Sequence, residues 1–263
     1  MDAARARSVL SELRRVAVDE TASRRGHDYI TLFADIDQAR VAFATEGKDA
    51  ATVPAFATDL AAHGGDPEAV TEVCIDMSPA FIKGVGEALP NAAITFDKFH
   101  AVKIVNDAVD QVRRDEQKKQ ALLRGTRYIW LRNPDHLSER QQAVLEALPT
   151  RHLKTARAYQ IRLAFQDLYR QPSAAAGERF LKRWYFWATH SRLPPIIEAA
   201  RTVNRHRDGI LRWFDSRIAN GLMEGFNSLV QAAKAKARGY RSNRNLIAMV
   251  YLLTGKLDLK LPA

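Results

Sequence analysis

Cysteine is almost missing from this chain: Cys74 stands alone among 263 residues. A disulfide framework and a Cys-based zinc site are both excluded, because each needs more than one thiol. Between Val73 and Ile75, Cys74 reads as a small buried hydrophobe. Long apolar runs are missing too. No stretch approaches the ~20 residues that span a bilayer, and the opening MDAARARSVLSELRR lacks the apolar core of a signal peptide. A cytoplasmic protein with no membrane partner is expected. Acids become scarce as the chain proceeds. Residues 1–112 carry 18 acids and 11 bases, a net of −7, whereas residues 113–263 carry 12 acids and 29 bases, a net of +17. An excess of that size fits a polyanion partner, nucleic acid being the commonest, with a merely solvated basic surface as the alternative reading.

What is present begins with alternating apolar runs. RRVAVDE (14–20), HDYITLFADID (27–37) and ARVAFATEG (39–47) are separated by turn-forming residues and predict an antiparallel meander. TVPAFATDLAAHGG (52–65) has helical spacing and a Gly-Gly stop. AVTEVCID is a fourth strand, and SPAFIKGVGEALPNA a helix with Ser78 as cap and Pro79 in its first turn. AAITFD is a fifth strand, followed by a long amphipathic helix through Val102, Val105, Val109 and Val112. The fold class expected is α/β: a mixed five-stranded sheet with flanking helices, in the order of the ribonuclease-H-like fold.

From 121 to about 215 the pattern becomes all-helical and rich in Arg, Leu, Ala and aromatics. Ser138 with Gln141 spells a capping box. ERFLKRWYFWATH carries Trp184 and Trp187, read as helix-packing residues before base-stacking ones. Three segments follow: 14–120, the first part of the core; 121–215, an all-helical insertion; and 216–263, the rest of the core with a basic segment.

Three carboxylates have unusual placements. Asp19 ends the first strand, Asp76 ends the fourth, and Glu224 lies near the start of a late helix. In a sheet of this order the first and fourth strands are neighbours. Close carboxylates repel unless a cation neutralises them, and oxygen-rich clusters suit Mg²⁺ or Mn²⁺. Two such ions ~4 Å apart can serve phosphodiester chemistry. Simpler readings compete: Asp76 and Asp97 as helix caps, Asp35 or Asp37 as rival acids, Glu20 as a spare, Glu224 as a first-turn glutamate favoured by the helix dipole. Asn220 reads as a helix cap, and Asn227, on the same helix face as Glu224, as an orienter of its carboxylate. Lys234, Lys236, Arg238, Arg241 and Arg244, with Tyr240 among them and no acid between 225 and 245, form the candidate phosphate-contacting patch.

VAVDETASRRGHDY, VCIDMSPAFIKGVGEALPNAAITFDKFHAVKIVNDAVDQVRR and NGLMEGFNSLVQAAKAKARGYRSNRNL together resemble the insertion-sequence transposases of the ISL3 group, over residues 14 to 255. The resemblance implies a DDE catalytic domain whose ribonuclease-H-like core is interrupted by an all-helical insertion before the catalytic glutamate. It places the catalytic, metal-holding residues on Asp19, Asp76 and Glu224. Asp97 and His100, in FDKFH, resemble an Asp-x-x-His motif implied to support DNA handling, while His100 reads equally as a structural histidine closing the strand-to-helix turn. Strand order favours Asp76 over Asp97 as second metal ligand. Two Mg²⁺ or Mn²⁺ ions, DNA partners (element ends and target) and a homodimer in the DNA complex are implied with it. Family members also carry an N-terminal zinc-binding module and a helix-turn-helix region. Here about a dozen residues precede the first strand, so the catalytic portion alone is expected. Two other readings stay open: a catalytically silent DNA-binding remnant that competes with the full-length enzyme, and a nuclease on the same fold.

Overall fold

The computed structural model describes residues 2–24, 26, 28–218 and 221–259. Along the chain the elements are α1 (Asp2–Arg5), β1 (Arg15–Ala22), β2 (Tyr29–Asp35), β3 (Arg40–Glu46), α2 (Thr52–Ala62), β4 (Glu72–Ile75), α3 (Pro79–Ala88) and β5 (Ala93–Phe96). There follow α4 (Lys98–Gln117), α5 (Arg127–Leu131), α6 (Glu139–Ala147), α7 (Lys154–Gln166), α8 (Ala174–Thr189), α9 (Pro194–Arg205), α10 (Arg207–Leu211), α11 (Trp213–Ser216), α12 (Gly221–Lys236) and α13 (Asn243–Thr254). The chain divides into two compact units. A sheet unit comprises residues 1–97 and 216–263, and a helical unit residues 98–215.

In the sheet unit the strand order is β3-β2-β1-β4-β5. The first three strands pair antiparallel, and β1–β4 and β4–β5 pair parallel. The five-stranded mixed sheet expected from the apolar runs is therefore present. Both faces are covered, which is why the central strands read as almost unbroken apolar runs. On one face Phe33 stacks on Phe56 of α2, with ring centroids 4.6 Å apart. Toward the other face, Ala17, Ile30, Leu32, Ala34 and Cys74 join Met223, Phe226 and Val230 of α12 and Leu246 and Val250 of α13 in one core. Helix α2 ends at residue 62, short of the Gly-Gly pair, because Gly64 takes a positive φ of 77° that stops it.

The helical unit starts at Lys98, not at 121. Helix α4 belongs to it because Ala101, Val105, Val109 and Val112 form a buried stripe on α4, which packs on α7 and α9. The expected capping box at Ser138–Gln141 forms, and Ser173 caps α8 by accepting a hydrogen bond from Ala176 N. Trp184 is a core residue, its indole N–H donating to the Ile161 carbonyl at 2.9 Å. Trp187, by contrast, is 41% exposed. Among the described residues, no helix is long and apolar enough to cross a membrane.

Candidate active site

The parallel registers decide where the acids lie. Strand β1 pairs β4 through Arg15–Glu72, Val16–Val73 and Ala17–Cys74, and β4 pairs β5 up to Ile75–Phe96. Continuing both registers puts Asp19, Asp76 and Asp97 in a single row across the C-terminal edge of three adjacent parallel strands. The backbone N–H of Asp97 still donates to the Ile75 carbonyl at 3.0 Å, so pairing reaches the row. By the two-residue alternation of strands, Asp19 shares the face of Ala17, and Asp76 that of Cys74. That face is the one covered by α12.

Each acid is held differently. Asp19 is half-buried; its Oδ1 accepts from the backbone N–H of Glu20 at 2.9 Å, and its Oδ2 accepts from Asn227 Nδ2 at 2.7 Å. Asp76 is half-buried, with Oδ1 accepting from the Ser78 N–H at 2.8 Å. This turn replaces the cap expected of Ser78: the residue sits at the cap position of α3, but its hydroxyl makes no capping bond. Asp97 is 2% exposed. Between these strands the Cys74 thiol is pushed well above its usual range, first by burial and then by the charges of Asp97 and Asp19. Both carboxylates therefore project their field onto the same buried point, and the thiol stays protonated and inert.

Helix α12 is laid along β1 by three polar contacts at helical spacing. Asn227 reaches Asp19, Gln231 Nε2 donates to Thr21 Oγ1 at 2.6 Å and to the Ala22 carbonyl at 3.0 Å, and Lys234 Nζ donates to the same carbonyl at 2.6 Å. Asn227 thus serves Asp19, where the sequence pattern pointed to Glu224. The amide's orientation is set by charge, since its NH₂ must face the carboxylate. Its Oδ1 is then left buried with no hydrogen-bond partner. Glu224 is exposed, one turn before Asn227 on α12. Among the described residues no three His, Cys, Asp or Glu side chains converge closely enough to hold an ion as they stand. The donor set is nevertheless hard and oxygen-rich: a carboxylate row beside an orphaned amide oxygen, which suits Mg²⁺ or Mn²⁺ and no softer metal.

The rival acids are spent elsewhere. Asp35 pairs in register with Val16, at the opposite end of β1, where it accepts from Gln38 N and pairs with Arg40 at 3.6 Å. Asp37 binds Arg15. His100 lies in the first turn of α4 in the helical unit, its ring edge-on to Phe99 at 5.9 Å. Asn220 lies outside the described residues.

The basic segment follows α12 directly. Gly239 N donates to the Lys234 carbonyl and Arg238 N to that of Ala235, a paired helix stop that puts Arg238 at the left-handed position with φ of 54°. Glycine is the usual residue there, so Arg238 holds its exposed guanidinium at a conformational cost. Lys236 and Arg241 are exposed beside it, as is Arg244 in the first turn of α13. Lys234 commits one donor to Ala22, and Tyr240 is half-buried against the core, so neither is as open as the sequence pattern suggested. Gln231 was missed by sequence reasoning; its position four residues after Asn227 was the available signal.

A mixed sheet with a row of carboxylates at its parallel C-terminal edge, and a helix carrying Glu and Asn laid over that row, defines the class to which the chain is compared. Over residues 16–250 it matches a family model described as transposase, that of the ISL3 group of DDE transposases, and the chain belongs to that family. It is 28% identical over 270 residues to the transposase for insertion sequence element IS1557 of Mycobacterium tuberculosis, which covers 92% of this chain and 60% of the relative. It is 26% identical over 239 residues to the transposase for insertion sequence element IS1001 of Bordetella parapertussis, covering 88% of this chain and 58% of the relative. The chain thus spans about three fifths of the length of these curated relatives.

Proposed function

We propose that this chain is the catalytic portion of an insertion-sequence transposase, with a ribonuclease-H-like core that cleaves DNA at element ends and joins the freed 3′-hydroxyls to target DNA. The observation that carries the reading is the Asp19–Asp76–Asp97 row lying under α12, at the parallel edge where strands of this order end. Family membership supports it from an independent direction.

In this reading Asp19, Asp76 and Glu224 hold the metal. Two divalent ions, when bound, supply Lewis-acid stabilisation of the attacking and leaving oxygens of a phosphodiester. The chain's own residues do the rest. Asn227 fixes the Asp19 carboxylate through its Nδ2 and keeps its buried Oδ1 beside the row. Asp97, already ordered by burial, supports the neighbouring Asp76, and His100 serves DNA handling after β5. Lys236, Arg238, Arg241 and Arg244 contact phosphates, with a contribution from the remaining donors of Lys234 and from Tyr240. The helical unit is the insertion before Glu224, and a homodimer assembles on DNA in the cytoplasm.

Nicking of supercoiled and element-end DNA in Mg²⁺ or Mn²⁺ tests this. Wild type is expected to nick only with metal, and Asp76→Asn and Glu224→Gln to lose activity by several orders of magnitude. If either variant nicks as fast as wild type, the assignment of the site is wrong. Salt-sensitive DNA binding with no cleavage in any metal would make the chain a silent competitor instead.

A further inference from the structure

Helix α8 of the helical unit has two unlike faces. Gly177, Leu181, Trp184 and Ala188 are buried on one. The opposite face, at the spacing i, i+4, i+7, i+11, carries Arg179, Arg183, Phe186 and His190, all exposed. Phe186 is 64% exposed and stacks on His190 with ring centroids 4.0 Å apart. His190 is locked there by its Nδ1 contact to the Phe186 carbonyl at 2.7 Å. Trp187 extends the aromatic surface at 41% exposure. A solvent-facing helix surface ordinarily puts charges there and keeps large rings inside.

The charge balance of the whole unit says what fits. Residues 98–215 contain 23 Lys and Arg against 12 Asp and Glu, a net of +11, whereas the sheet unit carries 17 against 18, a net of −1. All the basic excess therefore resides in the helical unit. Protein interfaces concentrate aromatics in a core depleted of charge, with the charged residues at the rim. Here two guanidiniums, Arg179 and Arg183, lead along one line into two stacked rings, Phe186 and His190, a combination of phosphate-contacting charge and stacking surface suited to a single strand. The one acid of α8, Glu178, pairs with Lys182 at 2.9 Å.

We infer that the outward face of α8 binds unpaired DNA, Phe186 and Trp187 stacking on exposed bases and Arg179 and Arg183 contacting the phosphates that continue along the helix toward its N-terminus. The inference rests on the DNA reading above and adds a second contact surface, on a unit that holds none of the three metal-binding candidates. Unpaired bases are specified because a duplex hides its ring faces and offers Phe186 nothing to stack on.

The test uses the full chain, with a fluorescein-labelled single strand of about 20 nucleotides, longer than the ~4–16 that a single-strand groove tracks, and the same sequence as duplex. Phe186→Ala and Trp187→Ala are expected to weaken single-strand binding roughly tenfold each, with duplex affinity and nicking unchanged. Arg183→Gln should lower the slope of log affinity against log salt by about 0.7 for the single strand. Quenching of tryptophan fluorescence by the single strand should shrink in Trp187→Phe. All three substituted side chains are exposed, so folding is not at stake. If wild type binds single strand and the ring variants bind it equally well, this inference falls while the transposase reading stands. A dimer dissolved by Phe186→Ala, with DNA affinity unmoved, would make the face a contact between copies and also overturn it. If wild type binds neither DNA form, the DNA reading itself fails, and this inference with it.

Discussion

Asn227 shows how one amide can serve a charged site. An isolated half-buried carboxylate is costly, and a single well-placed N–H lowers that cost without adding a competing charge. The 2.7 Å bond to Oδ2, together with the Glu20 N–H on Oδ1, fixes the orientation of the Asp19 carboxylate. Losing the partner of a ligating carboxylate weakens metal affinity by about 10–100-fold in metal sites generally. Asn227→Ala is accordingly expected to raise the Mn²⁺ concentration for half-maximal nicking by about that factor, with most of the rate recovered at saturating metal. A purely structural role would lower the rate at every metal concentration and leave the half-maximal point in place. The sequence pattern places Asn227 three residues after Glu224 and pairs the two by helical proximity. The partner across the interface, 208 residues away, was invisible to that argument.

At the scale of elements, α4 is pinned to α5 by one buried acid. Asp110 Oδ1 accepts from Arg113 at 2.7 and 2.9 Å, while Oδ2 accepts from Arg114 at 3.0 Å and pairs with Arg127 at 3.3 Å. Burial alone pushes the Asp110 carboxyl upward, but the hydrogen bonds from Arg113 and Arg114 and the charge of Arg127 outweigh it and hold the group below its ordinary range. The sign follows. A depressed native pKa adds stability above the unfolded value of about 3.9, and that stability is lost as pH falls through the native value. Asp110→Asn should cost about 3 kcal/mol near neutral pH, because it strands the buried Arg113 guanidinium. Urea denaturation followed by circular dichroism should also give a flatter acid limb for the variant below pH 4 than for wild type. Equal slopes would mean that another carboxylate dominates acid unfolding.

For the whole molecule, the division into two units separates a chemical edge from a basic surface. The carboxylate row is confined to the sheet unit, so metal should stabilise that unit and leave the other alone. At 100 times the dissociation constant, a ligand specific to the native state adds about 2.7 kcal/mol, which is about 5 °C or more in melting temperature for a unit of this size. Differential scanning calorimetry with Mn²⁺ is expected to shift the transition that Asp76→Asn makes metal-insensitive, and no other. A uniform shift, or one retained in Asp76→Asn, would place metal binding away from the row.

Period-two apolar runs, Gly-Pro punctuation and capping pairs are local signals. They sufficed for the five strands, for the Ser138 cap and for the excess of positive charge late in the chain. What they could not supply was register. Asp97 does lie one strand further out than Asp76, as strand order predicts, and it is the β4–β5 register that aligns it with Asp76, because parallel strands are set against each other by the packing of the faces and not by any turn between them. The same holds for Asn227 and Asp19, for the membership of α4 in the helical unit, and for the outward turn of Phe186 and Trp187. Sequence periodicity says that a helix has two faces. Only the packed neighbours of α8 decide which of its aromatics are buried and which are left to meet a partner.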